Sequence, residues 1–217
     1  MRTWAPAWLQ WSCRFGTTHE RVRQVNMLLW WALAAACGYA LGSINPAVLI
    51  ARLFGKDLRQ VGSGNPGATN VGRALGTKWA VLVGFLDVLK GLVPALLFGL
   101  FVGEIAGEIA GFAAVLGHIT SPFLKGRGGK GVSTTLGAIL GVQPWFAIPV
   151  LAAFGIGVAV FHRVGIGAAI AAAVLAVTGV VYWRVGWADG SDAVFAVVLA
   201  ALVLGRHWRN LRQAIWH

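Results

Sequence analysis

Apolar residues run in long blocks along this chain, and polar residues are confined to the short intervals between them. Residues 28–51 (LLWWALAAACGYALGSINPAVLIA) carry no charge. That is enough to cross a hydrocarbon core of about 30 Å at about 1.5 Å per residue. A polar loop follows from Arg52 to Lys78. A second span is expected at 79–102, interrupted by Asp87 and Lys90, and a third from Glu104 to Leu124. Beyond a glycine-rich interval at 125–131, KGRGGKG, the apolar run 131–161 is too long for one ordinary span. Gln143-Pro144 divides it, because proline lacks a donor and restricts the residue before it. The division leaves a short segment from Gly129 and a normal one at 145–161. Two further spans fit at 165–184 and 189–205, followed by the tail GRHWRNLRQAIWH. The pattern predicts an all-α polytopic membrane protein with seven transmembrane helices.

Charge fixes the orientation this pattern leaves open. Of 217 residues 58% are hydrophobic and 12% charged, half the charged share of a soluble domain. The net charge is nevertheless +11. With seven spans and the N-terminus outside, the inside regions are 52–78, 125–130, 162–164 and 206–217. They contain twelve Lys or Arg residues and one acid, Asp57. The outside ends carry Glu104, Glu108, Asp189 and Asp192 against Arg184. This is the asymmetry of cytoplasmic loops, and it places the C-terminus in the cytoplasm. Nucleic-acid binding is excluded as a partner class, since no basic soluble domain is present. Cys13 and Cys37 are the only cysteines and suggest neither a disulfide framework nor a metal cluster.

Residues 1–26 stand apart. They would lie outside yet carry Arg2, Arg14, Arg21 and Arg23, and they lack the apolar region of a signal peptide. Met27 directly precedes the first span. The segment reads as an upstream extension or misassigned start, leaving 27–217 as the membrane-embedded domain. The alternative is an interfacial segment anchored by Trp4, Trp8 and Trp11.

The polar intervals carry the candidate chemistry. Residues 62–73, GSGNPGATNVGR, contain four glycines together with Ser63, Asn65, Thr69, Asn70 and Arg73. The stretch is expected to be loop, being ill suited to a helix interior and showing no strand alternation. KGRGGKGVSTT joins three cations to glycines and to a helix starting near Val132. Glycines let successive N–H groups approach one anion, and a helix N-terminus adds partial positive charge. It is not a nucleotide P-loop, because Gly131 stands where Ser or Thr is required after Lys130. A plain positive-inside turn is the bland alternative. Two such loops on one face suggest two phosphate groups. Asp87 and Lys90, three apart on one helix face, are either functional or a mutually neutralising structural pair. His118 is either functional or a packing or interface histidine, and His162 reads as an interface residue. His207 and Asn210 share a helical face beside Arg206 and Arg209, a weak signal by itself.

Taken together, these stretches resemble the bacterial acyl-phosphate:glycerol-3-phosphate acyltransferase family. GSGNPGATNVGRALG is similar to its first motif, GHITSPFLKGRGGKGVSTTLG to its second, and the H-x-x-N of RHWRNL to its third. FLDVLKG in the second span also resembles a family stretch, and the resemblance covers 38–213 in order and spacing. It implies a seven-helix protein of the bacterial inner membrane with its site on the cytoplasmic side. By motif position it implies catalytic roles for His207, Asn210 and Ser63. It implies substrate binding by Asn65, Asn70, Arg73, Gly128, Gly129, Lys130 and Gly131, without metal or cofactor. One departure stands out: family members usually show serines after the basic residue that follows the fifth span, whereas here the stretch is HRVGIGAAI.

The implied reaction moves an acyl group from acyl phosphate to the primary hydroxyl of glycerol 3-phosphate, giving lysophosphatidate and phosphate. Implied partners are these two substrates, membrane lipid and, as a candidate protein partner, the enzyme that makes acyl phosphate. The residue types fit the chemistry. Two phosphate-bearing substrates call for two basic loops, the acyl chain for an apolar groove, and a phosphate leaving group for no strong acid. No Ser-His-Asp set or H-x-x-x-x-D signature is present, so direct attack without an acyl-enzyme is expected. A transporter for a phosphorylated anion is the rival class. It would want charge at mid-membrane and repeated halves, and only Asp87 and Lys90 answer to that.

Overall fold

The computed structural model describes the backbone of residues 18–215 and the side chains of 25–208. The two readings of residues 1–26 therefore fall mostly outside the described residues. Thr18 to Asn26 are already helical and run through Met27 into the first helix. Among the described residues the structure is all-helical: α1 Thr18–Ser43, α2 Pro46–Leu53, α3 Ala68–Leu75, α4 Thr77–Phe101, α5 Glu104–Thr120, α6 Val132–Val142, α7 Ala147–Phe161, α8 Val164–Arg184 and α9 Gly190–Ile215. Single 3₁₀ turns at Pro122–Leu124 and Pro144–Phe146 follow α5 and α6.

Five stretches are long and apolar enough to cross a membrane: Val25–Leu53, Thr77–Phe101, Pro144–Phe161, Val164–Arg184 and Gly190–Trp208. Helices α5, with 17 residues, and α6, with 11, are shorter. They occupy the positions of the expected third and fourth spans. Both are sheathed by protein: α5 packs against α1, α4, α6 and α9, and α6 lies along α4. Small residues make these contacts close. A Cβ on Gly38 or Gly42 would collide with the backbone of Ala110 or Ala114, and one on Gly91 or Gly137 with the backbone of Thr134 or Val88. Where the surroundings are as apolar as the side chains, such backbone proximity and its dispersion energy hold helices together. The outer faces carry Phe85, Leu100, Ile148 and Ile156, all large, apolar and exposed.

Two local features differ from the sequence expectation. The first apolar stretch is not one helix. Pro46 cannot donate and Asn45 Oδ1 accepts from Val48 N at 2.9 Å, so the chain stops at Ser43 and restarts as α2. The carbonyls released by the break find long-range donors: Ser121 Oγ to Ser43 O at 2.7 Å and Lys90 Nζ to Ile44 O at 2.8 Å. The second difference is α3, which occupies the latter half of the expected loop 62–73. Its intrinsic propensity is poor, but it buries Asn70 and Val71, and Val71 packs with Ala47, Ile50, Leu58 and Val83. Tertiary packing overrides propensity here.

Candidate active site

Four elements bring the polar motifs together: the 58–67 loop with α3, the glycine loop before α6, and the end of α9. Asn70 is the organiser of the first. It is 1% exposed, its Nδ2 donates to Leu58 O and Val61 O at 2.9 Å each, and its Oδ1 accepts from Ser63 N at 3.2 Å. Its side-chain amide thus holds the loop in shape. Gly62 adopts φ +53°, and a side chain there would run into Asn70 Oδ1 and crowd the Arg73 side chain. That glycine keeps Arg73 beside the loop, while Ser63 itself is exposed. Ser63 Oγ accepts from Asn65 N at 3.5 Å, and Asn65 is half-buried.

The glycine loop also differs from the expected cradle. Gly128 N donates to Ile119 O at 3.0 Å and Gly129 N to His118 O at 3.1 Å, so these two N–H groups close the end of α5. Both glycines are buried, and a Cβ on Gly128 would strike His118 O while one on Gly129 would strike His118 Nε2. Their role is close docking onto α5. What faces outward is Lys130, half-buried, followed by Gly131 in the left-handed region at φ +84° as N-cap of α6. The first-turn N–H groups of α6 have no intrahelical partners and carry the positive end of its dipole.

Arg206 completes the cluster, and motif reading passed over it as a site residue. Its Nη2 donates to Gly128 O at 3.0 Å, pinning the end of α9 to the glycine loop. Burial, with the charges of Arg206 and Arg73, pushes the Lys130 ammonium below its ordinary value. Three cations thus converge with no carboxylate among them, an arrangement suited to a multiply charged anion. His207 is 1% exposed and within reach of the Lys130 and Arg206 charges. Its Nδ1 lies 2.8 Å from Val203 O, so Nδ1 carries the proton and Nε2 is left as an acceptor. Asn210 belongs to the α9 backbone, but its side chain lies outside the described residues.

Beneath the glycine loop lies a buried polar set. Asp87 Oδ1 is 2.9 Å from Lys90 Nζ and 3.4 Å from His118 Nδ1, and Asp87 is 3% exposed. Asp87 and Lys90 are therefore the neutralising pair, with His118 as a third member that supports Gly129. Beyond Lys130 a cavity of about 580 Å³, including its open mouth, opens between α6, α7, α8 and α9, lined by Val132, Leu136, Phe154, Ala168 and Leu175 with Ser133 and Thr135. Its walls are almost wholly apolar. The hydroxyls on the wall shared with α8 come from α6, which bears on the stretch HRVGIGAAI that has none.

The contact between His118 and Gly129 can be tested directly. Gly129→Ala should lower the thermal midpoint of the purified protein, by an overpacking cost of about 1–3 kcal/mol. Adding His118→Ala, which vacates the colliding ring, should recover part of that loss. Additive losses in the double variant would mean that Gly129 is not docked on His118.

A family model described as Glycerol-3-phosphate acyltransferase matches residues 32–217. Glycerol-3-phosphate acyltransferase of Thioalkalivibrio sulfidiphilus is 43% identical over 192 residues, 87% of this chain and 92% of that protein. Its namesake from Aquifex aeolicus is 39% identical over 181 residues, 82% of this chain and 91% of that one. Among solved structures, PlsY (YgiH), an integral membrane glycerol 3-phosphate acyltransferase, matches in its glycerol 3-phosphate form. The TM-score is 0.78 at 37% identity, covering 85% of this chain and 92% of that chain. Its lysophosphatidic acid form matches with a TM-score of 0.75. Apolar helices, a polar face of glycine loops and these matches agree, and this multi-pass membrane protein belongs to the glycerol-3-phosphate acyltransferase family.

Proposed function

We propose that this chain transfers an acyl group from acyl phosphate to the primary hydroxyl of glycerol 3-phosphate, releasing phosphate and lysophosphatidate. The observation that carries this reading is the convergence of Arg73, Lys130 and Arg206 beside an apolar cavity that begins at Val132. The cations suit the phosphate groups of both substrates, and the cavity suits the acyl chain. PlsY, similar in fold, is known in forms with glycerol 3-phosphate and with lysophosphatidic acid. Attack by the glycerol hydroxyl on the acyl carbonyl forms the ester bond as the carbonyl–phosphate bond breaks. Phosphate leaves as an anion and needs no strong acid. Ser63, Asn65 and Asn210 are proposed to position the nucleophile, with no acyl-enzyme formed. Incubating purified protein with acyl phosphate and labelled glycerol 3-phosphate should give labelled lysophosphatidate. Transport of intact label into vesicles without product would favour the transporter reading instead.

The proposed topology has seven spans, with the N-terminus outside and the site on the cytoplasmic face of a bacterial inner membrane. Twelve basic residues in the inside regions support it. A reporter that works only in the cytoplasm should be active after His217 or near Asp57 and inactive near Gly190. A C-terminal reporter found outside would break both the span count and the single-face site.

Lys130→Ala and Arg73→Ala should each remove most activity while the protein still inserts. A charge-assisted phosphate contact contributes about 1.5–3 kcal/mol, roughly tenfold to 150-fold in the affected step. Lys125→Ala, on an exposed side chain outside the cluster, should be mild. The lowered Lys130 pKa has a sign that can be read in kinetics. The free enzyme loses this charge at a lower pH than an ordinary lysine would, so kcat/KM should fall early on the alkaline side. Lys130→Arg, permanently charged, should extend that limb to higher pH in whatever activity it retains. An alkaline limb identical in both proteins would remove Lys130 from the phosphate site.

The proton of the attacking hydroxyl goes either to His207 or to an oxygen of the acyl phosphate itself. The second is proposed, since His207 is oriented by the Val203 carbonyl and by no carboxylate. His207→Asn and His207→Gln should then retain measurable turnover through preserved hydrogen bonding, and His207→Ala should lose far more. Equal collapse of all three at saturating substrates, by the roughly 10²–10⁴-fold of a lost general base, would assign the proton to His207.

A further inference from the structure

A second cavity, of about 1040 Å³ including its open mouth, borders the 58–67 loop through Leu58, Arg59 and Pro66 but is lined by a different set of cations from the acyl-transfer site. It is bounded by the end of α2, the 55–59 turn and the 3₁₀ turn after α5. Arg52, Lys56, Arg59 and Lys125 line it, with Asp57 as the only carboxylate among the lining residues. None of Ser63, Arg73, Lys130 or His207 contributes to it. Its two sides are tied together, since Arg59 Nη2 donates to Leu124 O at 3.4 Å and Asp57 Oδ1 accepts from Arg59 N at 2.9 Å. Asp57 and Arg59 therefore brace the turn, leaving Arg52, Lys56 and Lys125 with no protein partner among the described contacts.

Apolar surface accompanies the cations. Phe123, which lines the cavity, is 74% exposed, and Leu53, next in sequence to Arg52, is 83% exposed. Exposed aromatic and aliphatic side chains beside clustered cations present two chemistries at once, and a soluble phosphate would use only one. A lipid uses both: its headgroup meets the cations while its chains lie against Phe123 and Leu53. Headgroup charge is specified as well. Four cations against one carboxylate leave an excess that suits a dianion better than a singly charged group.

We propose that this cavity binds the headgroup of a phosphomonoester lipid, separately from the acyl-transfer site. The class is that of lipids ending in a free phosphate, which includes the product proposed above and its diacyl descendants. Phosphodiester lipids are the weaker ligands. The binding itself does not depend on the proposed reaction and is measured without turnover.

The test uses the full chain in nanodiscs of phosphatidylcholine, titrated with dioleoyl phosphatidate or dioleoyl phosphatidylglycerol and read by native mass spectrometry. The comparison protein carries Arg52→Gln, Lys56→Gln and Lys125→Gln, three exposed side chains whose change leaves the packing intact. Wild type should bind phosphatidate at least tenfold more tightly than phosphatidylglycerol. The triple variant should lose at least tenfold in phosphatidate affinity while its acyl transfer, in discs without phosphatidate, stays within about twofold. Saturating glycerol 3-phosphate should leave phosphatidate binding unchanged. Equal affinity for the two lipids would reduce the cavity to an ordinary basic face and overturn the proposal. So would an unaffected triple variant, or displacement of phosphatidate by glycerol 3-phosphate, which would locate the lipid at Lys130.

Discussion

A single dehydrated carboxylate holds the polar face of this protein in register. Asp87 lies within a membrane-length helix, where an unpaired charge is costly, and it persists because Lys90 and His118 both approach the same oxygen. Each partner then does a second job. Lys90 donates to Ile44 O, satisfying a carbonyl that the α1–α2 break would otherwise leave unpaired. His118 presents its far nitrogen to Gly129, so the glycine loop has a fixed floor. The break, the end of α5 and the glycine loop are thereby referred to one charge. Removing Asp87 would leave Lys90 buried without its counter-ion, and the damage would reach all three.

This scaffold explains how a cluster of cations can be presented without neutralising acids. The backbone donors of Gly128 and Gly129 are already bonded to α5, and Asn70 is bonded to its own loop, so neither collapses onto a ligand. The side chains left facing outward are Arg73, Lys130 and Arg206, whose like charges disfavour one another. Rigidity in the supporting atoms and unsatisfied charge at the surface are complementary requirements. The first keeps the second from being quenched internally, which is what preorganised charge stabilisation requires.

Much of this was legible in the sequence, for reasons that also mark its limits. Apolar blocks bounded by glycine and proline located α4, α7, α8 and the start of α9 to within a few residues, because span length and hydropathy are local properties. Helix α9, by contrast, runs on to Ile215, ten residues past the expected end at 205. The division at Gln143-Pro144 was equally visible. The α1–α2 break is not evident from hydropathy, because 28–51 is charge-free, although Ser43, Asn45 and Pro46 mark it. Helix α3 escaped because its stability comes from Val71 packing on residues from α2 and α4. The docking of Gly128 and Gly129 on the end of α5 is not legible in the motif, since close approach to a ligand and close approach to His118 select the same residue. Arg206 could have been found, since it precedes His207 in the third motif and bears the charge the site uses.

The stretch after Arg163 shows how a local departure is to be weighed against its surroundings. Serines expected there are replaced by Val164, Gly165, Ile166 and Gly167, and α8 presents Ala168 to the apolar cavity. A hydroxyl on α8 would have stood across that cavity from the first turn of α6. Ser133 and Thr135 place hydroxyls on the α6 side of the same cavity, beside the unpaired N–H groups at the start of α6. Thr135 Oγ1 is buried and has no hydrogen-bond partner among the described residues, although a buried hydroxyl is ordinarily paired. The polar capacity missing from α8 is therefore present on the facing helix α6, in the turn that follows Lys130.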